Sequence, residues 1–365
     1  MKELHSFGWY AAKVSPHLPK KAFKPVPMRL LGGFLYVVVI SSCFFLIIKY
    51  NLHPILNISI SLLIGFCFSA IGFLGHEILH GTVVRKAWLR DLLGAFFMLP
   101  ISTGPLLWRK WHNMTHHIHT QDEEKDPDAW PSMDALSKVR LLQWMYKIPQ
   151  NVRAFFAFAF LFITFTIHST KQFFFFVKQA KPKKKITYWV QFLIPWTLWL
   201  SLLLMVGFEK WFYTFLLPLF ITNFIVMSYI STNHRLNPLT EINDPLANSL
   251  SVTLPKWIDV LHFNFSYHTE HHLFPGMSSK YYPLVKEQIL KLWPERYHQM
   301  PMHLAMIALW KTPRLYYKEK ELIDPKKGKI YGSLGHGLDP KAINFREEDR
   351  EQKEISAELA VDKRN

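Results

Sequence analysis

Residues 55–81 read ILNISISLLIGFCFSAIGFLGHEILHG. From Ile55 to Gly75 there are 21 residues without a charge. As a helix such a run reaches roughly 30 Å, the thickness of the hydrocarbon core of a bilayer. It leads directly into His76-Glu77-Ile78-Leu79-His80, where helical spacing puts His76 and His80 on one face. Two questions follow: whether the chain spans a membrane, and what a pair of histidines at the membrane edge holds.

The run is not alone. Leu30–Ile48, Tyr188–Gly207 and Trp211–Ile230 give 19, 20 and 20 residues of the same kind, separated by no more than a few charges at 49–54 and 208–210. Half of the 365 residues are apolar and 16% are aromatic, with 30 Phe and 13 Trp. Four spanning-length runs are hard to bury in a soluble core, so the chain reads as polytopic. The first run is too long for a signal-peptide core and follows a polar head of 29 residues. Cys43 and Cys67 both fall inside apolar runs, which points to packing rather than a disulfide framework or thiolate site.

Charge sets the expected orientation. The head, residues 1–29, carries six Lys/Arg against one acid, and KQFFFFVKQAKPKKK (171–185) carries six lysines and none. The positive-inside rule then makes the head, the 76–187 segment and everything after 230 cytoplasmic. Those lysines also suit contact with anionic lipid headgroups. Leu92–Leu107, interrupted by Gly94, Pro100, Gly104 and Pro105, and Ala154–Ile167 are short for spanning, and are expected to lie on or dip into the membrane. The expected fold is an all-α polytopic membrane protein. It has four transmembrane helices in two hairpins (30–48, 55–75, 188–207, 211–230) plus interfacial helices, capped by a cytoplasmic helical region holding a histidine-rich two-metal site. Its expected parts are a cytoplasmic head (1–29), a membrane domain (30–290) and a cytoplasmic C-terminal region (291–365). That last region ends in REEDREQKEISAELAVDKR (346–364), which reads as a solvent-facing helix or a disordered tail.

The chain has 18 histidines, and eight of them fall in three tight boxes. The first is His76 and His80; W-H-N-M-T-H-H supplies His112, His116 and His117; H-T-E-H-H supplies His268, His271 and His272. Helical spacing makes His76/His80, His112/His116 and the 268/271/272 trio each point together, with His117 reaching the same centre from a slightly rotated direction. The inferred crossings put all three boxes on one side of the membrane, free to converge.

The first box fits H-E-x-x-H, the zinc metalloprotease signature, in which the glutamate is the general base. A catalytic zinc takes about three protein ligands, however, and eight imidazoles exceed that. Two ions would absorb them. Imidazole suits iron, zinc, copper and nickel alike, so ligand type does not name the metal. The protease reading leaves the second and third boxes without purpose. A histidine-rich transporter would be expected to place histidines within the spans, but His76 to His272 fall outside the four runs. Nucleic-acid binding is disfavoured because the lysines adjoin membrane segments and no nucleic-acid module is recognisable.

The set H-x3-H, H-x3-HH and H-x2-HH, in this order around two pairs of apolar runs, resembles the integral-membrane fatty acid desaturase family, of the acyl-lipid type. W-R-K-W-H before the second box, Asp126-Pro127-Asp128 after it, and H-H-L-F-P-G (His271 to Gly276) agree, over residues about 30 to 290. The resemblance implies a non-haem di-iron centre, two Fe ions that use O2 as co-substrate to remove two hydrogens from a lipid acyl chain. It also implies two further ligands, His234 beside Asn233 and His262, while His119 is left out of the metal set. Glu77, Asp126, Asp128, Asn233 and Glu270 become candidates to accept ring N–H groups and orient the ligands. Two electrons must come from outside. No H-P-G-G motif of a fused cytochrome b5 occurs, so a separate ferredoxin or flavodoxin is implied, and the net charge of +16 would favour encounter with an acidic donor. The expected setting is the plasma membrane of a bacterium, with the site and both termini cytoplasmic. A hydroxylase or ketolase of the same superfamily would carry the same boxes. Double-bond position, acyl-lipid versus acyl-CoA substrate, the donor's identity, the tunnel-lining residues and oligomeric state stay open at this level.

Overall fold

The computed structural model describes residues 3–339 and 345–346. The charged tail at 346–364 therefore lies almost wholly outside the described residues. Helix α1 spans Phe7–Val14, α2 Arg29–Lys49, α3 Pro54–Leu79 and α4 Ala87–Phe97. After box two come α5 (Arg140–Lys147), α6 (Gln150–Gln179), α7 (Pro182–Trp211) and α8 (Leu217–His234). Shorter helices α9 (Lys256–Leu261), α10 (His268–Leu273) and α11 (Tyr282–Leu292) follow.

Helix α3 is the central post. Its Gly65 lets α8 approach closely: a Cβ there would stand 2.6 Å from Ile221 Cβ and 3.0 Å from the Pro218 carbonyl. The two helices run parallel, because contacts climb both together. Ser61 Oγ donates to Tyr213 O (2.7 Å), Thr222 Oγ1 to Gly65 O (3.1 Å), and the Phe73 and Tyr229 rings meet at 5.3 Å. Their C-terminal ends, carrying His76 and His234, are thereby brought level. Helix α7 runs the opposite way, with Gln191 accepting from Leu106 N at the histidine end and Lys210 Nζ donating to Ile48 O at the other.

The reversal between α7 and α8 occurs at Gly207, whose φ of +79° is open to glycine at little cost. Trp199 consequently stacks on Phe215 at 4.2 Å, whereas in an unbroken helix the two would lie about 24 Å apart. Helices α2, α3, α7 and α8 thus form the expected two hairpins. On α2 the side chains of Leu31, Leu35, Val38 and Phe45 are exposed, as lipid-facing residues must be.

The two short apolar stretches take different forms. Leu92–Leu107 breaks into the end of α4, a tight turn at Leu99–Ile101 and the short helix Pro105–Trp108. Trp88 and Leu92 of α4 face outward while Gly94 and Phe97 are buried, which gives an amphipathic element. Ala154–Ile167 is only part of α6, a 30-residue helix long and apolar enough to cross a membrane. The helix begins after box two and ends two residues before α7, which also starts at the histidine end. It packs on α8, where Thr166 N donates to Asn223 at 2.9 Å.

The cap is not purely helical. Strand β1 (Ser251–Thr253) pairs in parallel with β2 (Gln299–Pro301), and β3 (Tyr316–Tyr317), β4 (Glu321–Asp324), β5 (Lys329–Gly332) and β6 (Phe345–Arg346) form an antiparallel sheet. The head joins this cap. Asp244 accepts from Tyr10 Oη (3.1 Å) and pairs with Arg296 (2.8 Å), tying α1 to segments more than 230 residues away.

Candidate metal centre

Box one rides on the last turn of α3. Box two lies on a π-helical segment, Arg109–His116, where backbone bonds run from i to i+5. That winding matters. It brings the His112 and His117 Nε2 atoms to 3.0 Å of each other, so the two adjacent histidines, His116 and His117, serve different places. Box three occupies α10, where His268 and His272 are one turn apart and His271 points elsewhere.

The result is two histidine groups. His76, His80, His112, His117 and His271 each offer a ring nitrogen within 4.8 Å of the others, and so do His116, His234, His268 and His272. The expected pairing of His112 with His116 is thus replaced by a split of boxes two and three between the two groups, while box one stays whole. The groups adjoin, with the His117 and His272 rings stacked at 4.4 Å.

The chemistry of these donors fits cations. His116 Nδ1 donates to Asp126 (3.0 Å) and His234 Nδ1 to the Asn248 carbonyl (3.0 Å), leaving the Nε2 lone pairs of both rings free. His271 Nδ1 meets Tyr282 Oη (3.0 Å) and His272 Nδ1 meets Thr120 Oγ1 (3.2 Å). The Nε2 atoms converge: His76–His112 at 2.9 Å, His112–His117 at 3.0 Å, His117–His271 at 2.9 Å and His268–His272 at 3.1 Å. Lone pairs aimed at one another repel unless a cation sits among them. Nitrogens bound at about 2.1 Å and at right angles around an ion lie about 3 Å apart, which matches these contacts. His80 Nε2 is buried with no hydrogen-bond partner at all.

Electrostatics agree. Burial holds His112, His117, His268, His271 and His272 well below the usual imidazole range, and neighbouring histidines add to it. They are neutral and ready to bind metal. His116 differs. Burial lowers it too, but the charge and hydrogen bond of Asp126, with Asp128, prevail and lift it to about 9.

The supporting residues sort unevenly. Asp126 accepts from His116 Nδ1 and from Gln121 N, while Asp128 Oδ2 lies 3.5 Å from His116 Nδ1. Glu77 touches no ligand histidine. Its carboxylate pairs with Arg29 at 2.8 Å and accepts from Ser279 N, tying α3 to α2 and to the loop after box three. A general-base role is equally out of place there. Glu270 accepts from Ser251 Oγ (2.7 Å) and Tyr297 Oη (2.6 Å), so it braces α10 against β1 instead of orienting a ligand. The Asn233 side chain is buried without a partner. His262 is not brought to either group. Its Nδ1 meets Tyr229 Oη at 3.0 Å and its ring stacks on Phe66 at 4.4 Å.

Sequence reasoning missed several contributors. His168 of α6 binds Asp128 at 2.7 Å, and Trp108 stacks on His112 at 4.5 Å. A lone histidine in a phenylalanine-rich helix carries no signal in one sequence. Thr120, Tyr282 and the Asn248 carbonyl are ordinary residues until folding aims them.

The fatty acid desaturase family model matches residues 53–303 of the chain. Among curated proteins, an sn-1 oleoyl-lipid 12-desaturase of Synechocystis sp. is 22% identical over 281 residues, covering 74% of this chain and 77% of the relative. Its namesake from Picosynechococcus sp. is 22% identical over 329 residues, covering 84% and 90%. An sn-1 acyl-lipid omega-3 desaturase (ferredoxin) of Nostoc sp. is 26% identical over 121 residues, or 33% of each chain.

Proposed function

The chain belongs to the fatty acid desaturase family, and from that premise we propose that it introduces a double bond into a lipid-bound acyl chain, using O2 and two electrons at two histidine-held irons. The observation that carries this reading is the pair of adjoining groups of five and four imidazoles, which suits two ions and exceeds the needs of one. When bound, iron there would supply the oxidising power toward an unactivated C–H bond that no acid or base has.

The chain's own residues hold and orient. Asp126 fixes the tautomer of His116, the Asn248 carbonyl that of His234, and Tyr282 and Thr120 steady His271 and His272. A tight cleft beside His76, His80, His268 and His271 has Phe73, Phe263 and Phe265 as apolar walls. We assign the reacting methylenes to this cleft, which must widen to admit them. The sn-1 acyl-lipid relatives support a glycerolipid substrate, and the name of the Nostoc relative supports ferredoxin as donor, with flavodoxin the alternative of similar charge. Lysine-rich segments at the histidine end favour a cytoplasmic site in a bacterial plasma membrane.

The test is expression in a host lacking desaturases, with lipid mass spectrometry and iron analysis of the gently purified protein. Loss of two mass units from an acyl chain and close to two irons per chain are expected. A gain of sixteen mass units would make it a hydroxylase instead. One zinc per chain with proteolysis of a membrane substrate would overturn the reading.

A further inference from the structure

Four partly buried arginines find a carboxylate. Arg29 reaches Glu77, Arg90 and Arg109 reach Asp91, and Arg296 reaches Asp244. Among the described residues Arg153, Arg235 and Arg314 make no such ion pair. All three line one cavity of about 300 Å³, enclosed by α5, α6, the end of α8 and the segment before β3.

No carboxylate touches them, although Asp128 and Asp126 act on Arg235 and Asp324 on Arg153 from further off. Arg153 donates to the Ile148 and Pro313 carbonyls (3.1 and 3.3 Å) and lies over Tyr146 at 4.1 Å. Arg314 donates to Leu309 O (3.0 Å) and lies over Phe158 at 5.1 Å. Arg235 donates to Ser231 Oγ (3.1 Å), while its Nε is buried with no partner. Trp130 sits beneath both Arg235 and Arg314, at 5.4 and 6.0 Å. Burial, then the neighbouring Arg235 and Arg153, pull Arg314 down to about 10. Cations crowded together away from water are costly without a counter-ion. The planar guanidinium fork matches phosphate oxygens two at a time.

The cavity's mouth is of opposite character. Met145 and Phe160 line it, and beside them Leu141, Trp144 and Phe156 are 64%, 62% and 51% exposed. Among the described residues nothing covers this apolar belt, which in a membrane protein faces lipid. A cavity cationic inside and apolar at its rim fits an amphiphile with an anionic head.

We propose that this cavity binds the phosphate-class headgroup of an anionic membrane lipid, whose acyl part lies along the exposed faces of α5 and α6. The site is distinct from the histidine groups yet adjoins them, because Arg235 directly follows His234. The lipid would compensate charge next to the metal centre and hold α5, α6 and α8 together.

The test uses the full-length protein in neutral-detergent micelles. Phosphatidylglycerol, phosphatidylcholine or inorganic phosphate is added at matched phosphate concentration, and the thermal midpoint is read. Phosphatidylglycerol should raise the midpoint saturably while phosphatidylcholine does not. Arg314→Gln, which keeps a donor for Leu309 O, should weaken half-saturation by roughly 10-fold, and Arg314→Lys by less. Native mass spectrometry of the wild type, which needs no variant to fold, should find anionic lipid retained above its share of the membrane. Equal effects of both lipids, or no change in half-saturation in folded Arg314→Gln, would overturn the proposal. Full stabilisation by inorganic phosphate would assign the cavity to a free anion and overturn the lipid.

Discussion

Asp126 and Glu77 are both buried acids, Glu77 next to His76 in sequence and Asp126 against His116 in space, yet their surroundings give them different work. Asp126 accepts the Nδ1 proton of His116 and so governs the lone pair that ring offers to the second group. Asp126→Asn keeps the shape but weakens that grip. Metal affinity should fall by about 10 to 100-fold, with iron declining from two towards one per chain as His116 serves only the second group. Glu77 clamps Arg29 across α2 and α3. Glu77→Gln should lower stability by about 1.5–3 kcal/mol, the worth of hydrogen bonds to a charged group, while metal content stays unchanged. Metal analysis and thermal melts of the two variants decide the matter. Iron loss from Glu77→Gln at unchanged stability would return that residue to the metal site.

At the scale of elements, the centre depends on how closely α3 and α8 approach and on the winding of box two. Gly65 allows the first: Gly65→Val would drive its side chain into Ile221 and the Pro218 carbonyl. Such overpacking costs about 1–3 kcal/mol, and any shift of α8 also carries His234 away from His268, so lower thermal stability and weaker metal retention should appear together. Gly72→Ala is the control on the same helix, since its added Cβ meets Ile101 at an ordinary 3.7 Å. A Gly65→Val protein as stable as the control would mean that the helices do not pack as described. The π-helical winding of Arg109–His116 decides the second, since an α-helix would aim His112 and His116 at one ion.

At the scale of the whole molecule, nine histidines gathered from three boxes and α8 create an acid-sensitive interior once metal is removed. His112, His117, His268, His271 and His272 are all held below the ordinary 6.5, mainly by burial. Above pH 6.5 these rings are neutral both folded and unfolded and cost nothing; as pH falls below it the unfolded chain takes up protons that the folded chain refuses, so stability drops. His116, raised to about 9, acts oppositely, adding stability below 6.5 that is lost as pH rises through 9, but it is one ring against five. The chelated protein should therefore melt at progressively lower temperature from pH 7 to 5, and the metal-loaded protein should resist further into acid because bound metal opposes protonation. A chelated protein equally stable at both pH values would contradict the burial of these rings. The same rings divide what was legible from what was not. Four spanning runs, their two hairpins and the box histidines were readable because apolar length and i, i+4 spacing are local properties of a chain. Local spacing could not say which group each histidine joins, that Glu77 would turn to Arg29, that His262 would pack against Phe66, or that Asp128 would find His168. Those outcomes depend on helices remote in sequence meeting at fixed depth and rotation, and only the packing of α3 against α8, with box two wound between them, decides that.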